Sequence, residues 1–191
     1  MPNSTITKKA FADSLKELMK KKSFEKISVF DITENCGLTR QTFYYHFQDK
    51  YELVNWIYYN EVITEVIKDR TFENWSDGFF DMLTIMKSEQ HFYENALKIS
   101  GQNSFQDYLF LVSRELFLEL IDRITMDKEI EDEDKEFIAE FFSFGIVGMI
   151  SKWAKEGMKQ TPFILTKRLK HLVEDSKQFA VLRYIKEKQA D

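Results

Sequence analysis

The 191-residue chain has one cysteine, Cys36, two prolines, Pro2 and Pro162, and six glycines. A single thiol excludes an internal disulfide framework and a zinc site made of a cysteine cluster. Average usage would bring about nine prolines and about thirteen glycines. With no proline from residue 3 to residue 161, long helices are permitted, and an all-β or glycine-loop architecture is disfavoured. A glycine-rich phosphate loop is missing, so nucleotide hydrolysis has no support. His46, His91 and His171 stand far apart, without H-x-x-x-H or H-E-x-x-H spacing, and neither a metal nor another cofactor is expected. The longest nearly uncharged run, Phe141 to Ser151, is too short for a bilayer and is expected to be a buried helix. The N-terminus lacks the apolar stretch of a signal peptide, so a cytoplasmic, membrane-free protein is expected.

Hydrophobic residues make up 43% of the chain and aromatic ones 15%, enough to bury a core. Net charge is −5, which taken whole discourages a polyanion as partner. The charge is uneven, however. Residues 1–50 hold nine Lys or Arg against six Asp or Glu, a net of +3, whereas residues 51–191 hold eighteen against twenty-six, a net of −8. A basic head on an acidic body implies that only the head meets a polyanion.

Apolar spacing predicts an all-α chain of about nine helices. Ile6, Ala10, Phe11, Ser14, Leu15, Leu18 and Met19 form a stripe on a first helix over Thr5–Lys22. A short second helix runs from Ser28 to Cys36, with Ser28 and Asp31 in capping-box spacing and Gly37 placed to end it in a left-handed conformation. Thr39 caps a third helix from Arg40 to about Phe47, and Asp49 opens a fourth that continues to about Lys68. Further helices are expected near 75–87, 89–99, 104–125, 132–157 and 162–187, with connections at 69–78 and 127–136. The division expected is an N-terminal three-helix domain, residues 1–50, and a C-terminal helical domain, residues 51–191.

Ser28 to Lys50 carries the function. Two short helices meet at the turn Asn35-Cys36-Gly37-Leu38, and Ile32, Cys36, Leu38, Phe43 and Phe47 can close a small core. Arg40, Gln41, Thr42, Tyr44, Tyr45 and His46 are left for the outside and the helix margins. A helix-turn-helix has this form, its second helix lying in the major groove of double-stranded DNA. Arg40 can pair with guanine and Gln41 with adenine, while Thr42, Tyr44, His46 and Lys50 can reach phosphates. Cys36 is expected to be a small core residue rather than a redox sensor.

The block G-L-T, then T-F-Y-Y-H-F, then Asp49-Lys50 resembles the DNA-binding domain of the TetR family of bacterial transcriptional regulators. The resemblance implies that Arg40, Gln41 and Tyr45 face bases and that Thr42, Tyr44, His46 and Lys50 hold phosphates. Thr33 and Cys36 stand where the family usually has alanine; both are small enough to pack. Phe92-Tyr93, the stretch from Gly101 to Leu109 and the stretch from Phe144 to Met158 resemble a narrower group, the regulators related to activators of dihydroxyacetone-kinase operons. That resemblance implies control by a protein coactivator, whereas the wider family's habit implies a small-molecule effector.

The candidate regulatory pocket comprises Phe92, Tyr93, Gln102, Asn103, Phe105, Tyr108 and Phe142, although helical spacing alone reads these aromatics equally well as core. A homodimer is expected through Phe141, Gly145, Gly148 and Lys152 on one helix and Leu165, Leu169 and Leu172 on the next, since small residues admit a close helix. The alternative function is an all-α binding protein or enzyme whose N-terminal helices are merely structural. The polar outer surface from Arg40 to Lys50 argues against it.

Overall fold

A computed structural model describes residues 2–66, 74–99, 101, 104–124 and 131–175. Among these the chain is all-helical: α1 (Pro2–Met19), α2 (Val29–Asn35), α3 (Arg40–His46), α4 (Lys50–Tyr58), α5 (Trp75–Ser88), α6 (Gln90–Ala96), α7 (Phe105–Ile124), α8 (Asp132–Lys155) and α9 (residues 162–175). Two features were not expected. A 3₁₀ turn, Phe24–Lys26, precedes α2. After Tyr58, α4 widens into a π-turn, Tyr59–Ile63, before a last α-turn, Thr64–Val66. The expected helix over 162–187 is described as far as residue 175, and the expected end of the fourth helix near Lys68 lies outside the described residues.

The local signals place the first four helices. Ser28 Oγ accepts from Asp31 N, and the Asp31 carboxylate accepts from Ser28 N at 2.7 Å, the reciprocal pair of a capping box. Gly37 takes φ +68°, which an L-residue adopts only under strain. Thr39 caps α3 by accepting from Thr42 N. Asp49 caps α4 by accepting from Tyr51 N and Glu52 N, while Glu52 reaches back to Gln48 N at 2.6 Å.

Phe11, Leu15, Ile32, Phe43, Phe47 and Leu53 are fully buried and form the core of the first fifty residues with the start of α4. Phe11 meets Phe43 edge-on at 5.2 Å and Phe47 at 6.4 Å. Each such ring contributes roughly 1.5–3 kcal/mol by burial, so these few contacts fix how α3 rolls against α1. The buried hydroxyl of Ser14 links α1 to α2, donating to Ile32 O at 2.7 Å. Ile6, expected in the buried stripe, is exposed near the start of α1.

Below this core, α4 runs on into the body and buries Ile57, Tyr58, Val62 and Ile63. Lys16 of α1 pairs with Glu61 and, at 3.4 Å, with Glu89, and Asn95 donates to Met19 O at 3.2 Å, so α1 also rests on α6. α7 and α8 form an antiparallel pair: Phe110 meets Phe144 at 4.5 Å, Phe117 meets Phe142 at 5.6 Å, and Lys135 pairs with Asp122 at 2.8 Å. By length and composition alone α8 is apolar enough to cross a bilayer; here one side of it packs along α7.

Candidate nucleic-acid interface

α3 is seven residues long, and its two faces divide cleanly. Phe43 is fully buried and Phe47, just past its end, nearly so, while Arg40, Gln41, Tyr44 and Tyr45 are exposed. Tyr45, at 84%, is the most open of the large hydrophobic side chains among the described residues. Arg40 and Gln41 occupy the first turn, where a recognition helix meets base edges. Among the described residues nothing covers this surface, which presents a fork of guanidinium donors, an amide and two phenols to solvent.

The residues expected on phosphates differ among themselves. Tyr44 is 58% exposed with its ring braced edge-on against Phe43, which leaves the phenol directed outward. His46 is half-buried beside Tyr45, ring centroids 4.9 Å apart. Thr42 is half-buried, and its hydroxyl shares a 2.8 Å hydrogen bond with Thr39.

Lys50 departs from the expectation. Its ammonium donates to Phe24 O at 2.9 Å, Glu25 O at 3.3 Å and Ile27 O at 2.7 Å, and sits 4.4 Å over the Phe24 ring. An ammonium has three N–H donors, and all three have backbone partners. Burial pushes its pKa down, against the opposing pull of Glu25, Asp31 and Asp49. Lys50 therefore ties the start of α4 to the 3₁₀ turn.

An open crevice of about 380 Å³ lies beside α3, bordered by Lys26, Ser28, Val29, Tyr44, Gln48 and Lys50 among others. Cys36 lies at the other end of α2. Its thiol contacts Ile32 O at 3.2 Å, and burial pushes its pKa up, which suits packing and not redox chemistry.

The candidate regulatory residues separate into three groups. Phe92, Tyr93 and Phe105 are buried in the body core around Tyr58, with Tyr93 6.4 Å and Phe105 5.3 Å from that ring. All three belong to the buried core. Tyr108, half-buried, borders an open groove of about 250 Å³ between α4 and the first turns of α7. Phe142 pairs with Phe117 and Phe141 instead. Gln102 and Asn103 lie outside the described residues. The Tyr93 hydroxyl is buried without a hydrogen-bond partner among the described residues, and burial with nearby Glu61 holds its pKa well above the ordinary phenol value.

On the expected dimer face, Phe141, Gly145, Gly148, Lys152 and Leu172 are exposed, and a Cβ added at either glycine would meet nothing within 4 Å. Leu165 does not share this face: it is buried in the protomer's own core, and half-buried Leu169 packs against the same core. Phe137, Phe144 and Phe163, which sequence reasoning did not select, are exposed instead. Helical periodicity could have grouped Phe137, Phe141, Phe144 and Gly148 on one face. Among the described residues no group of three His, Cys, Asp or Glu side chains is placed to hold a metal.

A helix-turn-helix whose second helix shows its polar face, mounted on a larger helical body, defines a DNA-binding regulator. Residues 13–57 match the family described as bacterial regulatory proteins, tetR family, and residues 73–175 match a transcriptional regulator C-terminal region. The chain is 32% identical over 148 residues to the HTH-type dhaKLM operon transcriptional activator DhaS of Lactococcus lactis subsp. lactis (strain IL1403), covering 74% of this chain and 75% of that protein. It is also similar to the solved structure of a dihydroxyacetone kinase operon activator DhaS, with a TM-score of 0.68, 26% identity, and coverage of 92% of this chain and 98% of that one. The chain belongs to the TetR family: it is a DNA-binding transcriptional regulator and not an enzyme.

Proposed function

We propose that this protein is a homodimeric, sequence-specific regulator working on chromosomal DNA in the cytoplasm, with residues 1–50 as its DNA-binding unit and residues 51–191 as its regulatory and dimerisation unit. The observation that carries this reading is the outer face of α3, where Arg40, Gln41 and Tyr45 stand exposed while Phe43 anchors the helix from behind. In this reading Arg40, Gln41 and Tyr45 read bases, and Tyr44, with Thr42 and His46 at the helix margins, positions the backbone. The exposed Phe137, Phe141, Phe144, Gly145 and Gly148 of α8, with Phe163 and Leu172 of α9, support a two-fold interface between copies. Phe141, at 66% exposure, is a large apolar surface that a second copy would cover.

Control reaches the body as a protein coactivator or as a small-molecule effector. The filled aromatic core at Phe92, Tyr93 and Phe105 supports the coactivator, as does the similarity to an activator of a dhaKLM operon. The orphan hydroxyl of Tyr93 favours a polar small molecule. Either trigger must bind the DNA-competent and DNA-incompetent states with different affinity. A thermal-shift screen of metabolites separates the two, because a hit that also releases DNA excludes the coactivator-only form. The whole reading is tested by gel shift against DNA upstream of the protein's own gene at two salt concentrations, with the stoichiometry of the complex measured by light scattering. Two chains on one duplex, retained at the higher salt, is the expected result. Monomers that bind all DNA alike would sink it.

A further inference from the structure

Five phenylalanines lie in the first fifty residues, and four of them, Phe11, Phe24, Phe43 and Phe47, are buried. The fifth, Phe30, is 54% exposed at the second position of α2. Its orientation is imposed. The capping box of Ser28 with Asp31 fixes where α2 begins, and the Ser14 bond to Ile32 O fixes its roll, which commits Ile32 and Thr33 to the interior. Phe30 is then left on the outward side, where it gains nothing from its own domain's core.

The start of α2, where Phe30 stands, adjoins the α3 surface. Ser28 and Val29, the residues just before Phe30, border the same open crevice as Tyr44 of α3. The charge of Asp31 is engaged by the Ser28 amide and, at 3.1 Å, by Lys22, so this turn of α2 has its carboxylate already neutralised. A phenyl ring has no hydrogen-bonding group. On a base edge in the major groove, the apolar feature it can meet is the 5-methyl group of thymine.

We propose that Phe30 is a further specificity-determining residue, packing on a thymine methyl group at the margin of the half-site read by α3. This rests on the DNA-binding reading above. It adds an apolar reader on α2, the helix that crosses the backbone at the edge of the groove.

The test uses the full chain and a duplex that the wild-type protein itself selects from a random-sequence pool. Each thymine of one half-site is replaced in turn by uracil, which deletes only the methyl group. Wild type should lose affinity about fourfold at one thymine, the equivalent of about 0.8 kcal/mol for one buried methyl-sized group. Phe30→Ala should bind the unmodified duplex at least about fourfold more weakly by the same constant, and should be indifferent to uracil at that one position. Phe30→Leu, which keeps an apolar side chain and the fold, should retain the uracil sensitivity. The slope of log affinity against log salt should stay that of wild type, because no charge is removed. If Phe30→Ala keeps wild-type affinity, or if Phe30→Leu and wild type show no uracil-sensitive position, the proposal is overturned. If wild type selects no duplex at all, the DNA-binding reading fails first and Phe30 falls with it.

Discussion

At the scale of single residues, Lys50 separates what a sequence motif implies from what geometry permits. Its position after Asp49 matches a family phosphate contact, but its three donors are spent on the carbonyls of Phe24, Glu25 and Ile27. Lys50→Met is therefore expected to lower stability by roughly 1.5–3 kcal/mol, the worth of hydrogen bonds from a charged donor. The log–log salt slope of DNA binding should remain unchanged; a phosphate contact would instead reduce its magnitude by about one. Thermal melts with a salt titration of binding check both. Tyr44→Phe should likewise leave the slope alone and weaken binding by roughly 0.5–1.5 kcal/mol, the loss of one hydroxyl hydrogen bond. Asp31 carries a pH signature. The Ser28 amide and hydroxyl, then Lys22, hold its carboxyl at about 2, below the ordinary value of 3.8. A depressed carboxyl pKa stabilises the fold above the ordinary value, and that contribution is lost as pH falls from 3.8 towards 2. Asp31→Asn should flatten that part of the acid-unfolding curve, as followed by circular dichroism.

Among the helices, the termini are where sequence and structure agree most closely. Ser28, Thr39 and Asp49 are each followed by a residue whose backbone N–H they can satisfy, and Gly37 stands where a left-handed residue is needed; these are local rules, so local sequence reveals them. Ser28→Ala should cost about 0.5–2 kcal/mol by loss of the cap, measurable by denaturant titration. What was not legible is set by distant parts of the chain. The π-turn at Tyr59–Ile63, with Val62 and Ile63 buried, is announced by no spacing within α4. The aromatics Phe92, Tyr93 and Phe105 have the same helical spacing whether they fill a core or line a pocket; their packing around Tyr58 joins residues far apart in the chain, which no local spacing announces. Leu165 and Leu172 belong to one leucine stripe, yet the first is buried in the protomer's core and the second exposed. The outer face of α8 gives its own prediction. A side chain at Gly148 meets nothing within the protomer, so Gly148→Phe should leave the protomer folded while overpacking the dimer face by roughly 1–3 kcal/mol. Sedimentation should show the variant dissociating at concentrations where wild type is dimeric.

For the whole molecule, an acidic protein that binds an acidic polymer must confine its attraction to one surface. The basic first fifty residues and the acidic remainder arrange this in sequence, and α3 leaves Arg40, Gln41 and Tyr45 exposed within the basic part. The proposed function stands on Arg40 reading a base and not simply adding positive charge. The most direct test measures affinities of wild type and Arg40→Ala on a selected duplex and on its set of single-base-pair substitutions. The account predicts a loss of about 1–3 kcal/mol, with discrimination disappearing at one position of each half-site and persisting at the others. Equal weakening on every duplex, with the wild-type pattern of preference intact, would contradict it.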